Sequence, residues 1–293
     1  YVHDDWRVTR DLTLNLGFRY EYSSWPVDTR DQITSFDPGT GKFAVGHRKG
    51  KEPDLAAQPL ARLAWQLFGD LMIHAEDAGL PTRTLRYADK NNWGPRIGLA
   101  YRPALLKDTV FRAGYGAFYH LLNGNNYSDF TATSIPWIIT QAVVNTDPVT
   151  LDNQHLFAPF DAPGAAAPNI QPIVFDPYAR IPYVQEWNVA VQRQLPGNST
   201  FEAAYVANKG SKLELRVPFN RPFDPGPGDV QARRPFPDLS EGYAQRNIGN
   251  SIYHSLQVKF EKMFAQGLGV LAAYTWSKSI DDASSDFGSG VLD

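Results

Sequence analysis

Between Leu12 and Tyr22 every even position is Leu, Phe or Tyr, and the odd positions are Thr13, Asn15, Gly17, Arg19 and Glu21. Strict period two over this stretch predicts one long strand with an apolar face and a polar face. At about 3.3 Å per residue and a tilt of roughly 40°, such a strand rises close to the ~25 Å apolar band of a transmembrane β-barrel. Strands in water-soluble proteins are about half as long.

The alternation returns along the chain. Ile97, Leu99 and Tyr101 interleave with Arg96, Gly98, Ala100 and Arg102. Phe111, Ala113, Tyr115, Ala117 and Tyr119 interleave with Arg112, Gly114, Gly116 and His120. Further stretches are centred on Trp187–Val191, Phe201–Tyr205, Leu256–Phe260 and Val270–Trp276. With Tyr1–Val8 this makes eight candidate strands. The polar set, with Arg19, Arg96, Arg112, Glu186, Gln192, Lys259 and Glu261, is expected on one face. Leu14, Tyr101, Tyr115, Val189, Val258 and Tyr274 are expected on the other. Glu21 and Glu202 join the polar set and read as facing a lumen. Asp4 breaks the pattern, because it shares parity with Trp6 and Val8. A bulge, or a strand that starts later, is the expected remedy.

Connections alternate as well. Thr9-Arg10-Asp11, Pro103–Asp108, Pro196-Gly197-Asn198 and Phe264–Gly267 suit tight reversals. Residues 23–92, 120–181 and 207–250 are long connections, and another begins after Ile280. Loops of this length are uncommon in compact soluble domains. Short turns at one rim and long loops at the other is the asymmetry of an outer-membrane barrel. Within the first long segment, Pro59–Ala78 carries Leu60, Leu63, Ala64, Leu67 and Leu71 at helical spacing, which predicts a short amphipathic helix packed on neighbouring loops.

Composition agrees with this all-β, antiparallel, up-and-down transmembrane segment. Of the 293 residues, 13% are aromatic and 20% charged, as strands and membrane interfaces favour. Mean hydropathy is -0.37, too polar for a transmembrane helix but normal for a barrel with alternating faces. A net charge of -3 gives no electrostatic case for nucleic acid. The chain has no cysteine, which removes disulfides and thiolate metal sites. It opens on Tyr1-Val2-His3-Asp4-Asp5-Trp6, without the basic and apolar regions of a signal peptide.

Candidate chemistry is sparse. Asp281, Asp282 and Asp286 cluster and could hold Ca²⁺, but they lack the Gly turn and closing Glu of an EF-hand loop. A solvated external loop is the plainer reading. The six histidines, at 3, 47, 74, 120, 155 and 254, include no i, i+4 pair. Gly114-Tyr115-Gly116 sits inside a strand, where close approach of backbone or a plug explains it better than a phosphate loop. No G-x-S-x-G motif exists. Asn126-Tyr127-Ser128 and Asn198-Ser199-Thr200 match the N-glycosylation pattern by chance in a bacterial setting. No catalytic residue, metal ligand or cofactor is assigned, and the ligand-contacting residues are left open.

Several stretches resemble TonB-dependent outer-membrane receptors. The first pair is Asp4-Asp5-Trp6-Arg7-Val8-Thr9 with Leu12–Glu21. Others resemble the Oar-like subgroup, whose members often carry an N-terminal carboxypeptidase-regulatory-like domain. They are Asp89–Gly98, Pro182–Asn188, Tyr205–Gly210, Tyr253–Val258 and Tyr274–Asp282. The resemblance implies TonB-driven uptake or binding of an organic ligand at the bacterial outer membrane. It implies membrane lipid, a plug domain and TonB as partners, and no enzymatic activity. The plug and the TonB-contacting segment of such receptors precede the barrel, and neither is expected within residues 1–293. Residues 1–293 then read as part of a barrel domain.

Transporters of this kind use about 22 strands, so eight strands cut from so wide a wall are expected to form an open sheet that transports nothing alone. Two rivals remain: a self-contained eight-stranded barrel with a structural or adhesive role, and a secreted β-rich enzyme acting on polysaccharide. Pairing between the first and last strands separates the first rival, and a need for detergent separates the second.

Overall fold

The structure, a computed structural model, describes residues 1–47, 59–120, 134–138, 170–265 and 267–282. Its elements are β1 (Val2–Arg7), β2 (Leu12–Glu21), β3 (Thr34–Asp37), β4 (Lys42–Val45), α1 (Pro59–Phe68), β5 (Met72–His74), β6 (Asn92–Tyr101), β7 (Thr109–Tyr119), β8 (Ile173–Phe175), β9 (Tyr183–Leu195), β10 (Ser199–Phe219), β11 (Gly242–Ala265) and β12 (Leu268–Asp281). The eight long stretches of alternation all form strands. They pair antiparallel in the order β1-β2-β6-β7-β9-β10-β11-β12. No pairing joins β1 to β12, so the sheet is an open wall and the self-contained barrel is set aside.

The register keeps the two faces apart. Gly17, Arg96, Gly116 and Glu186 are successive cross-strand partners. Arg112, Ala190, Ala204 and Gln257 form a parallel row. Leu14, Leu99, Ala113, Val189, Tyr205, Leu256 and Trp276 form a row of the opposite face. The expected polar and apolar sets therefore hold across the wall.

Asp4 needs a correction. β1 starts at Val2 and pairs with β2 without a register break, so neither a bulge nor a late start moves the residue. Asp4 faces Leu16 on the apolar side, because His3, Asp5 and Arg7 occupy the polar side of the same strand.

The long connections are more ordered than the alternation implies. The first holds a small sheet in the order β3-β4-β5, and the second holds β8, which pairs parallel to β11. The third shrinks from 207–250 to the stretch between Phe219 and Gly242, because β10 and β11 run far past the membrane-length segment. Register shifts at Ser211–Glu214 hide this extension from a simple parity count. Lys212 there has a φ of 56°, a left-handed conformation costly for a side chain with a Cβ. The helix expected over 59–78 ends at Phe68. Beyond it a 3-10 turn at Gly69–Leu71 leads into β5, whose Met72, Ile73 and His74 pair with Phe43, Ala44 and Val45. Sheet pairing of a buried Met72 outcompetes continued helix.

The buried core lies in these connections. Phe36, Phe43, Val45 and Met72 from the first connection meet Ile135 and Ile170 from the second and Leu239 from the third. A second cluster joins Ile33, Ala75 and Leu85 to Ile173 and Phe175. Along the wall the order is inverted: Leu16, Ile97, Val189 and Trp276 are exposed. Apolar side chains outside and a folded cap at one rim is the arrangement expected of a wall facing hydrocarbon.

Candidate functional site

The polar face carries a shallow depression of about 320 Å³ centred on His3, Asn15, Arg96, Glu186 and Asn188. Glycines make its floor. Gly98 lies between Asn15 and Gly114 across the sheet, and Gly114 faces Asn188. A Cβ on Gly98 would meet the Asn15 side chain at 3.0 Å, and one on Gly114 would meet Asn188 Nδ2 at 3.0 Å. These amides therefore lie down over the glycines. The Phe118 ring likewise covers Gly116, and Arg96 stacks on that ring at 4.7 Å. The Gly114-Tyr115-Gly116 pair thus serves close side-chain packing on the polar face.

Charges on this face are paired along it. Arg19 meets Glu21 at 2.9 Å and Lys259 meets Glu261 at 2.9 Å. Arg112 donates to Gln192 Oε1 at 2.7 Å and approaches Glu202 at 4.0 Å. These pairs are solvent-exposed, so each stabilises the fold little. Their consequence is a wetted, mixed-charge lining.

The opposite face has aromatic borders. On the capped side Trp93 stacks with Phe18 at 5.5 Å between centroids and meets Tyr20, tilted, at 4.5 Å. Tyr205 bonds its hydroxyl to His254 Nδ1 at 2.7 Å, with Trp187 alongside. Tyr101, Phe111 and Phe201 lie toward the short turns. Amphipathic rings at two levels, with aliphatic side chains between, match the girdles of a barrel wall.

Cap and wall are joined by three buried polar groups. Arg86 is sandwiched between the rings of Trp25 and Phe175, at 4.6 and 4.5 Å. Asp89 pairs with Arg180 at 3.2 Å and accepts the Ile181 amide at 2.8 Å, tying β6 to the start of β9. Asn220, with a φ of 60°, donates to the carbonyls of Phe236, Leu239 and Ser240 and accepts the Phe236 amide. This one side chain closes the third connection. Beside it lies a pocket of about 290 Å³ lined by Gln171, Arg216, Arg221, Glu241 and Tyr243. Arg221 binds Glu241 at 2.7 Å, and Arg216 covers the Tyr243 ring at 4.9 Å. Guanidinium, carboxylate and amide groups around an aromatic ring can bind a polar organic molecule by hydrogen bonds and stacking.

The candidates from the sequence separate here. Asp282 accepts the Asn250 amide at 2.8 Å, which ends the β11–β12 ladder, while Asp286 lies outside the described residues. Among the described residues no group of three acids or histidines is placed to hold a metal. Asn198 sits in a tight turn with a φ of 55°, and Asn126 lies outside the described residues. Sequence spacing gave no sign that His47 and His74 meet. Parallel pairing of β4 and β5 brings their rings to 5.2 Å, with Glu76 at 3.6 Å from His47.

A family model described as an outer membrane beta barrel domain matches residues 1–292. The chain belongs to the outer-membrane β-barrel domain family. As a member of that family it resides in the bacterial outer membrane, with its polar face toward the lumen and its apolar face toward lipid. The capped rim is then extracellular and the short turns periplasmic. Two solved structures are similar to this barrel domain. The outer membrane transporter YddB from Escherichia coli is 14% identical, with a TM-score of 0.41 over 67% of this chain and 22% of its own. The siderophore receptor PirA from Pseudomonas aeruginosa is 12% identical, with a TM-score of 0.36 over 66% of this chain and 29% of its own. The barrel domain thus spans less than a third of the length of either. No curated protein matches the chain.

Proposed function

We propose that residues 1–293 form part of the barrel wall and outer cap of a TonB-dependent receptor of the Oar-like kind, which takes up or binds an organic ligand. The observation that carries this reading is a wall that does not close on itself and presents a polar, glycine-floored lumen face. A wall cut from a wide barrel is too flat to close on eight strands, and wide barrels of this class hold a plug. Glycine and flat-lying amides leave room for one. The cap pocket with Arg216, Arg221 and Glu241 offers a first contact for a ligand bearing hydroxyl or carboxylate groups. In this reading the plug, TonB and ligand are partners outside the chain, and the role is non-enzymatic.

The test is capture of the full-length gene product, solubilised from outer membranes, on the immobilised periplasmic domain of TonB. Retention that disappears when the segment preceding the barrel is deleted is the expected result. A complete gene product that is not retained contradicts the reading.

A further inference from the structure

At the capped end of the wall, three basic residues face the wrong way for a lumen. Lys209 pairs across the sheet with Gln185 and Ile252, and His254 pairs with Ala207 and Lys278. All three share the lipid face with Tyr205, Leu256 and Trp276. They are neighbours on β10, β11 and β12. We propose that Lys209, His254 and Lys278 form a binding site for the phosphorylated headgroup of an outer-leaflet lipid. This rests on residence in the outer membrane and not on the TonB reading.

Height is the first reason. Lys262 marks the periplasmic end of the lipid face of β11, and His254 lies eight residues along it. At about 3.3 Å per residue and a tilt of roughly 40°, that is a rise of ~20 Å, near the ~25 Å of an apolar band. His254 and Lys278 therefore stand where hydrocarbon gives way to headgroups on the extracellular side. Lys209 stands one step further out. The aromatic border agrees, because Tyr205 is bonded to His254 and Trp187 packs beside it. Trp276, 70% exposed, precedes Lys278 by one step on the same face.

Charge is the second reason. Neither Lys209 nor Lys278 is in an ion pair among the described residues. The carboxylate of Asp282 is engaged by Asn250, and Asp281 lies on the lumen face opposite Ser251. Lys212 adds a further cation nearby, over the Tyr183 ring at 5.7 Å. Lysines in such positions snorkel toward the headgroups on flexible stems. A phosphate there neutralises several cations at once, and its acyl chains cover the apolar surface of Leu256 and Val258 below.

The experiment uses the full-length gene product in phosphatidylcholine nanodiscs, with phosphatidic acid as the probe and native mass spectrometry as the readout. Phosphatidic acid should be retained over phosphatidylcholine. The double variant Lys209→Gln/Lys278→Gln should lose about thirtyfold in retention, from roughly fivefold per lysine near an anionic surface. Lys262→Gln, on the same face at the periplasmic level, should leave it unchanged. Retention equal to wild type in the double variant, or an equal loss in Lys262→Gln, overturns the proposal. Full competition by inorganic phosphate alone would overturn the commitment to lipid. Should the double variant fail to fold, Lys278→Gln on exposed β12 carries the test by itself, with loss supporting the site and wild-type retention overturning it.

Discussion

Asn220 shows how much of the cap rests on single side chains. Its side-chain amide reaches three carbonyls, and its backbone carbonyl accepts a guanidinium N–H from Arg234 at 2.6 Å. Asn220→Asp would set a carboxylate against those carbonyls. Leaving such buried groups unsatisfied costs about 1–3 kcal/mol, and more with charge. The expected outcome is faster amide exchange and tryptic cleavage after Arg233, with the wall unchanged. Arg86 is a second such residue. Arg86→Ala removes a cation between Trp25 and Phe175, worth roughly 2 kcal/mol when desolvated. Trp25 fluorescence should shift to the red as water reaches the ring. Neither role was legible in the sequence. Phe175 is distant from Arg86 along the chain, and no local spacing brings an arginine between two rings. The facing of Arg96, Glu186 and Lys259 was legible, because period two places a side chain without knowledge of its partners.

At the scale of elements, long strands were readable and short ones were not. β2 carries unbroken alternation, and β6, β7 and β9 carry it with exceptions near their ends such as Phe118 and Arg193. β10 and β11 keep pairing beyond the membrane band, but Lys212 and the register shift near Gly249 scramble the parity there. β3, β4, β5 and β8 are three or four residues long and exist only through the core that Phe36, Phe43 and Ile173 build together. The start of α1 was marked by Pro59. Its end depended on β5 finding β4, which no local signal announces. Facing is the testable property of these elements. Val258→Arg puts a charge in the lipid band at a cost of roughly 2–4 kcal/mol near mid-membrane. The adjacent Gln257→Arg points to the lumen and should be tolerated. Folded yield in outer membranes, read by heat-modifiable mobility, should fall for the first variant and not the second.

Across the whole molecule, the apolar core and the membrane-facing surface are separate structures. The cap has a conventional buried interior, whereas the wall exposes its Leu, Val and Trp residues. The edges β1 and β12 are unpaired with one another. Cysteines introduced at Asp5 and Asn15, which are cross-strand partners, should form an intramolecular disulfide. Cysteines at Asp5 and Ser277 should not, and efficient bridging of that pair would restore the closed eight-stranded barrel. The absence of native cysteine makes this chain suited to such labelling. Introduced cysteines also serve the most direct test of the central claim, that one face of this wall meets lipid and the other lines a lumen. Single spin labels at each position from His254 to Glu261, in the full-length gene product in bilayers, report collisions with oxygen from lipid and with a nickel chelate from water. Oxygen collisions peaking at 254, 256, 258 and 260, with chelate collisions peaking at 255, 257, 259 and 261, is the result this account requires. Accessibility without period two, or chelate contact at Leu256 and Val258 equal to that at Gln257 and Lys259, would contradict it.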